Sequence, residues 1–371
     1  MVYDLNKGGR VRLMDKVDFK DKKVLMRIDT DVKIEGEKVK EPFRLENSIP
    51  DIQKILSAGA KQIFLVGHLG RPARHASQLA GVAGGPGGKE RDEFSLLPVA
   101  KKFAQLLQIE NANFTLWTTP QGFKTFRLSP KIFLLENIRF YKGEETNNPE
   151  FAKKLASLAD IFINDAVATL HRAHASIVGV PKYLPSYLGT STRIEIERIQ
   201  KIMENPKHPF VVVIGGAKVE DKKPAIDYLV KIADKILVGG KVANDLIDEG
   251  YQNEKVILPR DFSTPERFDI GFKTITQFKQ IIENAKTIFW NGNLGKTEDE
   301  EYRLGSEQIA HTIVIADAER IVAGGDTVAF LSEIGLVDKF DFICAGGGAI
   351  LELLAGEKLP GIEAIENSKN K

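Results

Sequence analysis

The chain has 371 residues, 43% of them apolar and 28% charged, and its 52 Lys and Arg against 51 Asp and Glu leave a formal net charge of +1. At about 150 residues per domain the length suggests two compact units. The balanced charge provides no global field to draw in a nucleic acid or an anionic membrane, so any anion site must be local. The single cysteine, Cys344, excludes an internal disulfide and a thiolate metal cluster, and its apolar run marks it as a small buried residue. Met1 to Arg10 lacks the apolar core of a signal sequence, and no stretch reaches the roughly 18 apolar residues of a membrane span. The expected address is cytoplasmic, with neither nucleic acid nor membrane as partner.

Short runs rich in Val, Ile, Leu and Phe recur along the chain, each closed by Gly, Asp, Asn or His, and they read as buried parallel strands. The first half has them at Val24 to Ile28, Gln62 to Val66, Lys131 to Leu135 and Asp160 to Ile163, with helical patterns at Ser48 to Ser57, Leu96 to Leu107 and Asn148 to Leu158. Gly81 to Lys89 reads as a surface loop; it fails as a phosphate loop because Ala83 replaces the first Gly and Glu90 the closing Ser or Thr. Between Pro181 and Pro206, Ser191 to Glu204 spaces Ile194, Ile196, Ile199, Ile202 and Met203 as one connecting helix, ended by Asn205-Pro206.

In the second half the strands are Phe210 to Ile214, Lys235 to Val238, Thr287 to Trp290, Arg320 to Val322 and Phe342 to Ala345, with helices at Pro224 to Ile232 and Ser306 to Ala316. Gly295-Lys296-Thr297 is no Walker motif, because Trp290 stands where its leading Gly belongs. Parallel strands need crossovers, and crossovers want helices. The expectation is therefore α/β: two doubly wound Rossmann-like domains with parallel sheets flanked by helices. The first spans 1–187, a hinge helix 188–205 and the second domain 206–358, with 359–371 returning to the first.

Ligands of open α/β sheets gather at the carboxyl ends of strands. After the first-half strands come Asp29-Thr30-Asp31, His68-Leu69-Gly70-Arg71, Asn137-Ile138-Arg139 and His171-Arg172-Ala173-His174, with Arg44 a little past the first. Any one of these is most simply a helix cap or an ion-paired surface group. Converging from several strand ends, their guanidinium forks suit a small, multiply anionic molecule. The second-half strands instead end in Gly215-Gly216-Ala217-Lys218, Gly239-Gly240, Asn291-Gly292, Gly324-Gly325-Asp326-Thr327 and Gly346-Gly347-Gly348. Glycines let backbone approach a ligand, and helices starting after them point N–H groups at phosphate. Lys218 and Lys222 supply a phosphate clamp, and Asp326 a lone carboxylate sufficient for Mg²⁺. An anion pocket, a nucleotide cradle and a helix between them describe phosphoryl transfer with hinge closure.

Eight motifs in this order, Val24-Leu-Met-Arg-Ile-Asp29, Gly67-His-Leu-Gly-Arg-Pro72, Leu135-Glu-Asn-Ile-Arg-Phe140, His171-Arg-Ala-His-Ala-Ser176, Gly215-Gly-Ala-Lys-Val219, Trp290-Asn-Gly292, Gly324-Gly-Asp-Thr327 and Gly346-Gly-Gly-Ala349, closely resemble the phosphoglycerate kinase family. The resemblance implies transfer between ATP and the carboxylate of 3-phosphoglycerate, giving ADP and 1,3-bisphosphoglycerate, with Mg²⁺ and as a monomer. It implies acceptor binding by Asp29, Asp31, Arg44, His68, Arg71, Arg139 and Arg172, with Arg44, Lys218, Gly324 and Gly325 at the transferring group. Gly216, Lys218, Lys222, Gly239, Gly240, Asn291, Glu298, Gly325, Asp326 and Thr327 match nucleotide positions, Glu298 at the ribose and Asp326 at the metal.

Departures cluster at these sites. Asp31 stands for an amide, a like charge that should weaken acid binding unless Lys33 or a proton compensates, and Lys296 stands for an apolar residue against the base. Val167-Ala168, Lys241, Ala323 and Ala345 are further changes. They leave open a paralogous kinase on another small acid, or a nucleotide-binding relative without turnover.

Overall fold

The structure, a computed structural model, describes residues 3, 11–72 and 93–369. The glycine-rich stretch Gly81 to Lys89 lies outside the described residues. The chain divides into two compact units, Tyr3–Glu195 joined by the segment from Leu359, and Ile196–Lys358.

In the N-terminal unit the strands are β1 (Lys23–Ile28), the small β2 (Ile34–Glu35) and β3 (Lys38–Val39) ladder, β4 (Gln62–Val66), β5 (Asn113–Thr118), β6 (Lys124–Arg127), β7 (Ile132–Leu135), β8 (Ile161–Asp165) and β9 (Ser186–Leu188). The main sheet runs β5-β6-β7-β4-β1-β8-β9. Its centre is parallel, with Leu25 of β1 level with Phe64 of β4 and Phe162 of β8. Every residue of β7 and β8 is buried, because helices cover both faces of the parallel part. Beneath one face Met26, Ile52, Ile63, Val99 and Phe103 pack together. A fully buried side chain of this kind contributes roughly 1.5–3 kcal/mol.

One side of the sheet departs from the all-parallel expectation: β5 pairs antiparallel with β6, and β6 with β7. This meander needs no crossover helix. Its outer strand, Asn113–Thr118, has no fully buried residue, so it carries none of the continuous apolar signal that marks the inner strands. The C-terminal helix Pro360–Glu366 also belongs here, tied by Gly361 N–H to Leu170 O at 2.9 Å and by Arg12 to the carbonyl of Ser368.

The C-terminal unit holds β10 (Phe210–Ile214), β11 (Lys235–Val238), β12 (Val256–Ile257), β13 (Thr287–Asn291), β14 (Glu319–Ala323) and β15 (Phe342–Cys344), in the order β12-β11-β10-β13-β14-β15, all parallel. The order reverses about β10, so the carboxyl ends of β10 and β13 form the switch point where ligands gather. Trp290 and Phe289 on β13 are fully buried, and so is Cys344.

The boundary between the units falls inside the helix Thr190–Glu204. Its start is capped from a distance: Asp51 accepts from Thr190 N–H at 2.6 Å and Asp165 from Thr192 N–H at 2.9 Å, two carboxyl groups at the positive end of the helix. Farther along, Arg198 pairs with Glu319 and lies over Phe342. A second correction concerns the helix after β10, which spans Val219–Leu229 rather than starting at Pro224. Proline suits a first turn, so the sequence pattern favours a start there, yet the ring sits inside the helix.

Candidate active site

The N-terminal unit gathers its charged groups at the carboxyl ends of β1, β4, β7 and β8. Asp29 follows β1 and is buried, with Oδ2 accepting from Ala168 N–H at 3.1 Å. That contact uses backbone, so the change of residue at 168 leaves it intact. Arg44 donates to the carbonyl of Asp31 at 2.7 Å. Arg139 donates to Gly70 O at 2.6 Å and lies 3.3 Å from Glu145. Burial leads the influences that bring Arg139 down to about 10, so it remains cationic at neutral pH. Asn137 fixes this crest by donating to Leu69 O and Phe94 O. Arg71 and Arg172 are half-buried on adjoining loops.

His68 is buried after β4. Desolvation, reinforced by the charges of Arg27, Arg139 and Arg172, holds its imidazole well below the ordinary range. His174 is pushed down to about 3 by burial and the same arginines. The positive field of the pocket therefore comes from guanidinium groups, with neutral imidazoles among them.

Asp31, the departure at this site, is exposed; its Oδ1 accepts from Gly70 N–H at 2.9 Å and its Oδ2 lies 3.7 Å from His68 Nε2. Lys33 does not serve as its counter-charge, since its ammonium is 3.7 Å from Glu35. The carboxylate is instead steadied by a backbone donor that an amide oxygen could use equally well.

Sequence reasoning left three contributors outside its site list: Arg27, Glu144 and Ser176. Arg27 is the charged residue in the buried part of β1, and a buried guanidinium requires partners. It donates from Nε to Ser176 Oγ at 3.1 Å and contacts His68 Nδ1 at 2.9 Å. Ser176 Oγ in turn donates to buried Glu144 at 2.6 Å. A strand Arg was a readable signal; its partners, far along the chain, were not.

In the C-terminal unit the crest is made of backbone. Helices Val219–Leu229, Gly240–Asp248, Gly325–Glu333 and Gly347–Leu354 start after β10, β11, β14 and β15, and none has a side-chain cap. Some of their first N–H groups are taken up by loop carbonyls, Gly240 N–H by Leu294 O and Val242 N–H by Gly216 O, and the others are left at the strand ends, a placement that suits an anion. The loops interlock: Gly216 N–H bonds to Asn293 O at 2.7 Å and Gly240 N–H to Leu294 O at 2.8 Å. Gly292 has φ 95°, and a Cβ there would sit 2.2 Å from Gly215 O. Gly240 has φ 61° and would bring a Cβ to 2.8 Å from Gly216 N. Only glycine fits either place without moving backbone. Gly239 and Gly324 are the residues just before two of these helices, and Gly325 begins one.

Thr327 and Asn291 brace this crest. Thr327 Oγ1 accepts from Gly292 N–H at 2.8 Å, Asn291 Nδ2 donates to Ala323 O at 3.0 Å, and buried Lys222 donates to Asn291 Oδ1. Lys218, Asp326 and Glu298 are exposed. Lys296 pairs with Asp299 at 2.6 Å over the Phe268 ring, and Lys241 pairs with Asp245 at 2.6 Å.

A sheet crest of cationic side chains in one unit and a crest of uncapped helix N-termini in the other define an α/β phosphotransferase. The phosphoglycerate kinase family model matches residues 14–261 and 250–357. The phosphoglycerate kinase of Thermosipho africanus is 35% identical, with 95% of this chain and 97% of that protein aligned; that of Moorella thermoacetica is 34% identical, over 94% and 97%. The solved phosphoglycerate kinase of Coxiella burnetii superposes with a TM-score of 0.74 at 30% identity, covering 96% of this chain and 99% of that one. The chain belongs to the phosphoglycerate kinase family, and it is a kinase.

Proposed function

We propose that the enzyme transfers a phosphoryl group reversibly between ATP and the carboxylate of 3-phosphoglycerate, with ADP and 1,3-bisphosphoglycerate as the other pair. The observation that carries this reading is the division of labour just described: guanidinium forks for a small polyanion in one unit, backbone N–H groups for phosphates in the other. Arg44, Arg71, Arg139, Arg172 and His68 hold the acceptor, with Asp29 and Asp31 on the same crest. Gly216, Gly239, Gly240 and Gly325 line the nucleotide phosphates, Asn291, Thr327 and Lys222 keep those loops in place, and Glu298 meets the ribose.

Both reactants are anionic, so the main work is alignment and charge neutralisation. The acceptor carboxylate is already ionised, and no general base is required. That agrees with two histidines held neutral by burial rather than poised near pH 7. Lys218, exposed at the start of the helix Val219–Leu229, follows the phosphoryl group, with Arg44 and the N–H groups at Gly324 and Gly325 beside it.

Asp326 fits a Mg²⁺ site: an exposed carboxylate in the first turn of the helix Gly325–Glu333. Magnesium held by one carboxylate, phosphate oxygens and water needs no cage of protein ligands. Bound there, Mg²⁺ would supply charge neutralisation of the nucleotide phosphates.

The reading extends to closure by bending at the helix Thr190–Glu204 and to a monomer working in the cytoplasm. Among the described residues no helix is long and apolar enough to cross a membrane. The test is a coupled assay of ADP formation from MgATP and 3-phosphoglycerate, run beside Lys218→Ala and with GTP as alternative donor. Turnover that disappears in the variant supports the reading. Nucleotide binding without turnover, or faster transfer to another small acid, overturns it.

A further inference from the structure

We propose that Arg27 is a positioning residue that locks His68 as the neutral Nε2–H tautomer, so that His68 presents only a hydrogen-bond donor to the acceptor pocket. The assignment of an acid to that pocket rests on the function proposed above; the tautomer follows from geometry alone. Arg27 is only 2% exposed and lies on the central strand β1. Its Nη2 is 2.9 Å from His68 Nδ1. A guanidinium has five donors and no acceptor, and it does not lose its proton in a protein. His68 Nδ1 must therefore supply a lone pair, and the ring proton sits on Nε2. An imidazolium would set N–H against N–H at this contact.

Nη1 and Nε of the guanidinium hold that geometry. Nη1 donates to Val66 O at 3.2 Å and to Ile28 O, and Nε donates to Ser176 Oγ at 3.1 Å. Ser176 can accept there because its own proton goes to Glu144 Oε1 at 2.6 Å, while its backbone N–H donates to Glu144 Oε2 at 2.9 Å. Glu144, 1% exposed, is the buried anion that balances the buried cation. The donors run in one consistent sense from Arg27, inward through Ser176 to Glu144 and outward through His68. Arg27 thus acts on a ligand through His68 rather than by touching it.

The free end of this chain faces the departure noted above. His68 Nε2 is 3.7 Å from Asp31 Oδ2, a distance that an incoming anionic oxygen can shorten and replace. A donor-only imidazole donates to a carboxylate, phosphate or hydroxyl oxygen there and offers nothing to an N–H donor. The position therefore favours an accepting oxygen over an N–H group.

The experiment uses the full-length chain with ¹⁵N-labelled histidine, reading two-bond nitrogen–proton correlations at pH 7, with His68→Gln to assign the signals. The expected spectrum has protonated, pyrrole-type Nε2 and bare, pyridine-type Nδ1. In Arg27→Met the lock is gone: a population with protonated Nδ1 grows in, and the KM for 3-phosphoglycerate rises by about tenfold or more while kcat changes less. Ser176→Ala, which leaves Arg27 in place but removes its anchor, shifts the same signals part of the way. Protonated Nδ1 in the wild-type protein overturns the proposal without any variant having to fold. If Nε2–H is found but saturating 3-phosphoglycerate leaves the His68 signals unmoved, the tautomer stands and the acceptor assignment falls.

Discussion

The two crests are built from different parts of the chain. In the N-terminal unit the crest is made of side chains, Arg139 and His68 after strands and Arg44 in the short helix Phe43–Glu46, and they are steadied by other side chains and carbonyls. In the C-terminal unit the crest is made of the starts of helices at Gly240, Gly325 and Gly347, and the loops touch backbone to backbone. A side-chain site can change one residue at a time with its scaffold intact. A backbone site cannot, because recognition and fold use the same atoms. The departures of this sequence follow the distinction: Asp31 is a substitution on a scaffold that accommodates it, and Ala323 contributes only its carbonyl, to Asn291.

The largest expected effect tests the exposed lysine beside the backbone crest. Lys218→Ala should lower kcat by about 10²–10³-fold, the usual loss for one charge-stabilising donor. Because Lys218 is exposed, the melting temperature should not move. A variant that melted early would mean the lysine belongs to the fold.

Gly292→Ala should do the opposite. Its φ of 95° alone costs a side chain roughly 1–3 kcal/mol, and the added Cβ meets Gly215 O at 2.2 Å. We expect a lower unfolding midpoint and weaker ATP binding together, read by urea denaturation and calorimetry. Arg44→Ala, by contrast, should weaken 3-phosphoglycerate binding with the midpoint unchanged. If the two variants behaved alike, the distinction between the crests would be lost.

A smaller effect concerns pH. His174 is held to about 3 in the folded protein by burial and by Arg139, Arg172 and Arg27, against about 6.5 in an unfolded chain. Below 6.5 the unfolded state takes up a proton that the folded state refuses, so this group removes stability as pH falls toward 3. The buried carboxyls of Asp29, Glu144 and Asp165 are raised by desolvation and act in the opposite sense, being relieved as they protonate. The difference between wild type and His174→Asn isolates the histidine. The variant should gain on the wild type between pH 7 and pH 5, and a constant gap would show that His174 titrates normally.

Asp31→Asn is gentler again. One unit charge at about 4 Å is worth about 1 kcal/mol in water-like surroundings, so removing it should lower the KM for 3-phosphoglycerate several-fold. The bond to Gly70 N–H survives, because an amide oxygen takes it. An unchanged KM would place the acceptor's acid end away from residue 31.

How much of this was readable in the sequence follows the same physics. β1, β4, β10 and β13 were legible because sheets covered on both faces make largely apolar runs. β5 and β6 were not: Asn113–Thr118 is an exposed edge, and Lys124–Arg127 buries only its two central residues. Pro224 misdirected the start of its helix, since proline is at home in a first turn. At the sites, Arg and His after strand ends announced themselves by position. The Arg27–Ser176 bond joins residues 149 apart, and no local pattern carries a contact made by folding.

Lys296 gives the smallest effect and the sharpest reading of the comparison. By sequence it replaces an apolar residue at the base, which invites the expectation that it alters nucleotide preference. In the structure its ammonium is 2.6 Å from Asp299 and 5.7 Å above the centre of the Phe268 ring, so it is engaged within its own loop. An exposed pair of this kind is worth about 0–1 kcal/mol, and a selectivity built on it can amount to no more than about fivefold. Lys296→Met should therefore leave the ratio of kcat/KM for ATP over GTP within that range. A fiftyfold change would put the side chain against the base, and the C-terminal crest would then owe its specificity, if not its affinity, to a residue free to vary.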